Sequence, residues 1–154
     1  RLNSSAASDV YKRQVIVGAL SLATSLESSG VIAISTAQLI PYLADTNWFI
    51  ALIVVYFTTL LLTEFVTNNA AAALMFPFAY GLVEIIGAPL MPFALAVAFA
   101  ASASFISPFG YQTNLLVFNA ANYKFSHFIR IGLPISLLYS AIVLCLLNLT
   151  YLSQ

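Results

Sequence analysis

From Val15 to the C-terminus the chain carries only two strong cations, Lys124 and Arg130, against four acids, Glu27, Asp45, Glu64 and Glu84. Everything between them is apolar or weakly polar. Such a chain cannot present a solvated surface; charged residues make up 6% of it, where a soluble domain carries about 25%. It must fold in lipid, where each backbone N–H and C=O needs an internal partner, and helices meet that need within one segment. The expectation is an all-α integral membrane protein. A net charge of zero gives no attraction to nucleic acid, and none is expected as a partner; the bilayer is.

The first fourteen residues, RLNSSAASDVYKRQ, differ from the rest. They hold four of the chain's ten charges and no apolar run that would make a signal peptide. They resemble translated adapter sequence, and residues 1–14 are set aside as an artefactual or disordered tail. A basic cytoplasmic tail is the alternative. On the first reading, the natural N-terminal part is expected to be missing. A single cysteine, Cys145, lies in an apolar run. It allows no internal disulfide and reads as an inert core thiol.

A bilayer core takes about 20 apolar residues in helix. Residues 15–47 read as one interrupted helix, or as a span plus an interfacial helix. WFIALIVVYFTTLLL (Trp48–Leu62) and AAAALMFPFAY (Ala70–Tyr80) are each short for a span, and the polar segment TEFVTNN joins them. Two short arms with a polar tip predict a re-entrant hairpin over 48–80; one kinked helix is the competing reading. MPFALAVAFAASASFI (Met91–Ile106) predicts a helix with small residues for close packing. SPFGYQTN (Ser107–Asn114) then breaks it, because Pro108 lacks an N–H and Gly110 permits unusual backbone. The broken helix extends over 91–122, and the last span over 128–149. The cations and His127 share the window KFSHFIR, which the positive-inside tendency places in the cytoplasm.

Discontinuous helices with polar breaks mark binding sites in secondary transporters. A helix starting after Asn69 offers unpaired N–H groups and the positive end of its dipole to an anion. Unwound carbonyls near Gly110, with Asn and Thr oxygens, suit a small cation beside it. Glu64 within a span is a functional candidate by default; a structural acid bonded to a neighbouring helix is the bland alternative. Asn68 and Asn69 also read as simple helix caps, and Tyr111 as an interfacial anchor. His127, Glu27 and Glu84 read as surface or interface groups. With one histidine and no phosphate-binding glycine loop, no enzyme motif is present; the chain is expected to be no enzyme and to need no cofactor beyond a coupling ion.

The same segments resemble a known family. LTEFVTNNAAAALMFP is similar to the second hairpin of the divalent anion–sodium symporters, solute-carrier family 13, where Thr-Glu-Phe leads to a Ser-Asn-Thr tip, small residues and a proline. SASFISPFGYQTNLLVFNAANYKFSHFIRIGLPISLL resembles that family's next broken helix and last span. It is nearest the branch with Gly-Tyr-Gln-Thr-Asn in the break, which includes sulfate-type carriers that often carry soluble regulatory domains. LESSGV (Leu26–Val31) resembles the Leu-Glu-x-x-Gly before the hairpin. The likeness covers nearly all of Val15–Leu149.

The resemblance implies the C-terminal inverted-repeat half of an elevator-type carrier. Residues 15–47 would be scaffold-type helices and 48–154 half of a moving transport domain. The partners would be a small anion, the missing N-terminal repeat half and a second subunit in a homodimer. The location would be a cell membrane, multi-pass, in bacteria the inner membrane. Carried over by position, Thr67, Asn68, Asn69, Tyr111 and Gln112 would bind substrate. Thr63, Val66, Asn68 and Gly110 would hold sodium, mostly through carbonyls, with Glu64, Thr113 and Asn114 in support. Sodium would be the coupling ion. The anion would be sulfate or a dicarboxylate. Thr-Asn-Asn in place of Ser-Asn-Thr, and Tyr111-Gln112 where dicarboxylate carriers show Thr-Pro, weaken the case for a dicarboxylate and leave sulfate open. The alternatives are a related carrier for arsenite or citrate, or a non-transporting membrane scaffold subunit.

Overall fold

The computed structural model describes residues 47–120 and 123–151, with 17, 18, 21, 25, 28–30, 34 and 38. The expectations for residues 1–14, for most of 15–47 and for Glu27 lie outside the described residues. The continuous part is helical: α1 (Trp48–Phe65), α2 (Asn68–Ile86), α3 (Leu90–Ala101), α4 (Gln112–Ala120) and α5 (Phe125–Tyr151). By length and composition α1, α2 and α5 are long and apolar enough to cross a membrane. Among the described residues the architecture is all-helical, consistent with an all-α membrane protein.

Each helix end has a local cause. The Asn47 side chain accepts from Phe49 N–H at 3.1 Å and starts α1. Val66 ends it in extended conformation, its N–H returning to Leu62 C=O. Thr67 caps α2, its hydroxyl accepting from Ala70 N–H at 3.3 Å. Gly87, at φ 66, ends α2, and Ala88 N–H reaches back to Val83 C=O at 3.2 Å, the closure a left-handed glycine allows.

The two hairpin arms are longer than the apolar runs suggested. α1 has 18 residues and continues through Thr63 and Glu64 to Phe65; α2 has 19 and runs past Tyr80 to Ile86. At 1.5 Å per residue each is about 27–29 Å, close to the thickness of a bilayer core of about 30 Å. α3, by contrast, stops at Ala101 rather than Ile106, and helix resumes at Gln112. The non-helical segment is therefore 102–111, displaced toward the N-terminus from the expected Ser107–Asn114.

α3 lies at the centre, packed against α1, α2 and α5, while α1 and α2 also touch each other. Lipid gives little hydrophobic drive between helices, so contact rests on close van der Waals packing. The buried face of α3 supplies it with Ala96, Ala100 and Ala101 around Phe93 and Val97. Tyr56, Leu52 and Val55 of α1 and Leu82 of α2 fill the space against it. The outer face of α5, with Ile131, Leu137, Leu138, Ile142 and Leu146, is exposed and apolar, as lipid contact requires. Cys145 is on that exposed side, which corrects the expectation of a core thiol. His127 and Glu84 are exposed, as expected.

Candidate functional site

The turn between α1 and α2 meets the non-helical segment between α3 and α4. Thr63 is fully buried at the end of α1, and its hydroxyl donates to Ala101 C=O at 2.7 Å. That bond removes the last carbonyl of α3 from competition for a further helical turn. The Asn68 amide stands 3.0 Å from Thr63 Oγ1, 3.1 Å from Ala101 C=O and 3.2 Å from Gly110 C=O. All three are oxygens, and the single Thr63 proton is already directed at Ala101. Among protein groups alone, the amide nitrogen therefore faces them as donor. The opposite side of the amide faces donors only.

Gly110 has no space for a side chain. A Cβ there would strike Thr63 C=O, Ser104 Oγ and Ser104 Cβ. Thr63, Asn68 and Gly110 of the expected cation set are thus in mutual contact. Val66 sits half-buried at the turn between them. The Ala101 carbonyl joins this cluster, and sequence reasoning missed it; an alanine inside an apolar helix carries no signal of its own.

Beside this cluster is a cavity of about 310 Å³, lined by Thr67, Asn68, Asn69, Phe109, Gly110, Tyr111, Thr113 and Leu115. None of these residues is charged. Five of the expected site residues line it: Thr67, Asn68, Asn69, Gly110 and Tyr111. Thr113, expected in support, does too. Gln112 opens α4 next to Tyr111, and its side chain lies outside the described residues. Thr67, Asn69, Tyr111 and Thr113 are exposed, so the cavity is open on one side. Asn68 and Asn69 are not caps: Thr67 fills that role, and both asparagines lie in the first turn of α2.

Two helix N-termini flank the cavity. α2 begins at Asn68, and α4 begins at Gln112, with Leu115 N–H as the first to reach back four residues, to Tyr111 C=O at 3.1 Å. The N–H groups of the first turn of each helix have no intrahelical acceptor. Together they favour an anion without any cationic side chain. The sequence located the first of these termini. The second was hidden by placing Asn114 in the break; the structure puts Asn114 inside α4, its amide donating to Ser104 C=O at 3.1 Å and to Ser107 C=O at 3.5 Å.

Glu64 is buried and bonds to the non-helical segment, not to a neighbouring helix. It accepts from the N–H groups of Phe105 (3.1 Å), Ile106 (3.0 Å) and Ser107 (2.6 Å) and from the Ser104 hydroxyl (3.4 Å). Among the described residues no cluster of His, Cys, Asp or Glu could hold a metal ion. The oxygens here are carbonyl, hydroxyl and amide groups, a set suited to a hard ion of low charge.

Comparison with known proteins bears on this arrangement. A family model described as "Sodium:sulfate symporter transmembrane region" matches residues 14–152. The chain is 37% identical over 141 residues to an uncharacterized transporter of Synechocystis sp., covering 89% of this chain and 22% of that protein. It is 40% identical over 98 residues to a probable sodium/sulfate cotransporter 3 of Chlamydomonas reinhardtii, covering 62% of this chain and 11% of that protein. It is 37% identical over 127 residues to sodium/sulfate cotransporter 1 of the same organism, covering 82% and 14%. The chain therefore spans a minor part of the length of these curated relatives.

Proposed function

The chain belongs to the sodium:sulfate symporter family, and from that premise we infer that it is the hairpin-and-break half of a sodium-coupled carrier of sulfate. The observation that carries this reading is the convergence of three oxygens, from Thr63, Ala101 and Gly110, on the Asn68 amide, directly beside a neutral cavity flanked by two helix N-termini. Thr63, Val66, Asn68 and Gly110 would take sodium. Thr67, Asn68, Asn69, Tyr111 and Gln112, with Thr113, would take the anion, and Asn114 would brace the break.

Asn68 supplies the coupling. A cation among the three oxygens reverses the preferred orientation of its amide: the oxygen turns to the cation and the nitrogen to the opposite side. That side faces donors only, so the turned nitrogen is satisfied only by an acceptor placed between, such as an anion's oxygen. Sodium and anion thus favour each other through one side chain. The bound cation also offsets the anion's charge, which lowers the cost of carrying the loaded site through a low-dielectric region. The uncharged lining suits a small, fully ionised oxyanion whose oxygens accept from N–H, hydroxyl and amide groups.

The open side of the cavity supports a site completed by a second repeat; residues 48–154 would then move as part of a loaded hairpin domain against a scaffold in an elevator cycle, in a homodimer in a cell membrane. The test replaces the matched segment of sodium/sulfate cotransporter 1 with this chain, reconstitutes the chimera and measures sulfate and succinate uptake with and without a sodium gradient. Sodium-driven sulfate uptake supports the reading. Uptake indifferent to sodium, or succinate preferred over sulfate, refutes it. The 154-residue chain reconstituted alone is expected to give no uptake, and clear uptake by it would overturn the half-site.

A further inference from the structure

Glu64 adjoins a proposed sodium ligand in sequence, yet its carboxylate is directed elsewhere. It is 7% exposed, and both oxygens are fully engaged. Oε1 accepts from Phe105 and Ile106 N–H; Oε2 accepts from Ser107 N–H and the Ser104 hydroxyl. All four donors belong to the non-helical segment between α3 and α4. Three successive backbone N–H groups aimed at one anion form a nest, and here the anion is a side chain of the opposing hairpin. The segment is gripped from two further directions. α5 presses on it at Gly132, where a Cβ would strike the Phe105 carbonyl and Ile106 Cα. α4 holds it through the Asn114 amide on Ser104 and Ser107 C=O.

We propose that Glu64 is a positioning residue for the cation site: by fixing residues 104–107 against the end of α1, its carboxylate sets where the Ala101 and Gly110 carbonyls stand relative to Asn68. This inference rests on the sodium reading given above. The nest lies midway between the two carbonyls along the chain, so a shift of the nest moves both. Ser104 makes the link direct, since its hydroxyl touches Glu64 on one side and its Oγ and Cβ fill the space where a Gly110 side chain would be. A glutamine cannot substitute. A carboxylate is acceptor-only, whereas the glutamine amide turns two donors toward a nest of donors and leaves buried N–H groups unpaired. Aspartate keeps the acceptors but withdraws them by one methylene.

The experiment uses the full chain in lipid nanodiscs. Hydrogen exchange of amides 66–70 and 103–111 is followed in rising sodium chloride, with choline chloride holding ionic strength constant. In the parent, sodium slows exchange with a definable half-saturation. Glu64→Gln is expected to raise that half-saturation about tenfold or more, equivalent to ~1.4 kcal/mol, and Glu64→Asp to raise it by less. Should the glutamine variant not fold, the aspartate variant decides alone. Thr59→Val serves as the reference for mere destabilisation, because the buried Thr59 hydroxyl bonds only within α1, to Val55 C=O at 2.7 Å. If the Glu64 variants behave like Thr59→Val, melting earlier with the sodium half-saturation unchanged, the positioning role is overturned. Asn68→Ala separates the two readings. Sodium protection present in the parent, lost in Asn68→Ala and unaltered by Glu64→Asp sinks the positioning role alone; no sodium-specific protection in the parent sinks the sodium site itself and this proposal with it.

Discussion

Replacing Asn68 with aspartate changes one atom type at the point where the proposed cation and anion regions meet. In the parent the amide end lies 3.0, 3.1 and 3.2 Å from Thr63 Oγ1, Ala101 C=O and Gly110 C=O. A carboxylate keeps the shape but brings no donor, so two carbonyls lose a partner. At about 1 kcal/mol net per hydrogen bond, the sodium-free protein should lose about 2 kcal/mol. Sodium reverses the sign: opposite unit charges ~4 Å apart gain ~4 kcal/mol at an effective dielectric of 20. An anion at the adjoining helix termini feels the same charge as repulsion, and ~4 kcal/mol is roughly a thousandfold in affinity. Asn68→Asp should therefore melt earlier than the parent in choline, be rescued by sodium, and lose sulfate. The assay is thermal unfolding of the chimeric carrier in choline and sodium salts, followed by calorimetric titration with sulfate. If Asn68→Asp binds sulfate as tightly as the parent, the hairpin tip is not the anion site and the reasoning fails.

Three further outcomes follow from the same geometry. Gly110→Val drives a side chain into Thr63 C=O and Ser104, and it should weaken both sodium and sulfate binding in calorimetry, at an overpacking cost of ~1–3 kcal/mol or more. Gly132→Ala meets only backbone of Phe105 and Ile106; it should lower the thermal midpoint by a similar overpacking cost of about 1–3 kcal/mol and raise the sodium half-saturation, although Gly132 touches no ligand. For topology, single cysteines at Asn47 and Ser126 in a Cys145→Ala background should label from opposite membrane faces with an impermeant maleimide, and labelling from one face would refute the expected orientation.

The sequence exposed the two places where helices are interrupted, because Thr67-Asn68-Asn69 and Pro108-Phe109-Gly110 are local signals. It misjudged how far the helices run, because those limits are set by partners distant in the chain. Thr63 and Glu64 look too polar for a helix in lipid, yet α1 contains them, since the Thr63 hydroxyl is satisfied by Ala101 and the Glu64 carboxylate by residues 104–107. The same bonds end α3 early: Ser102-Ala103-Ser104 has no breaker, but the Ala101 carbonyl before it and the Phe105, Ile106 and Ser107 N–H groups after it are drawn to side chains about forty residues away in sequence. Gly132 was unreadable for a related reason. A glycine in a long apolar helix reveals a close approach only when the segment it meets, 105–106, is in place.

If one side chain, Asn68, ties a cation site to an anion site as proposed, linkage makes the tie measurable: sodium must raise sulfate affinity by the factor by which sulfate raises sodium affinity. The direct measurement is a calorimetric titration of the chimeric carrier with sulfate, once in choline and once in saturating sodium, and the reverse titration with and without sulfate. Reciprocal increases of about tenfold or more are expected, equivalent to ~1.4 kcal/mol of coupling, and abolished in Asn68→Ala. Sulfate affinity that is the same in choline and in sodium would contradict it.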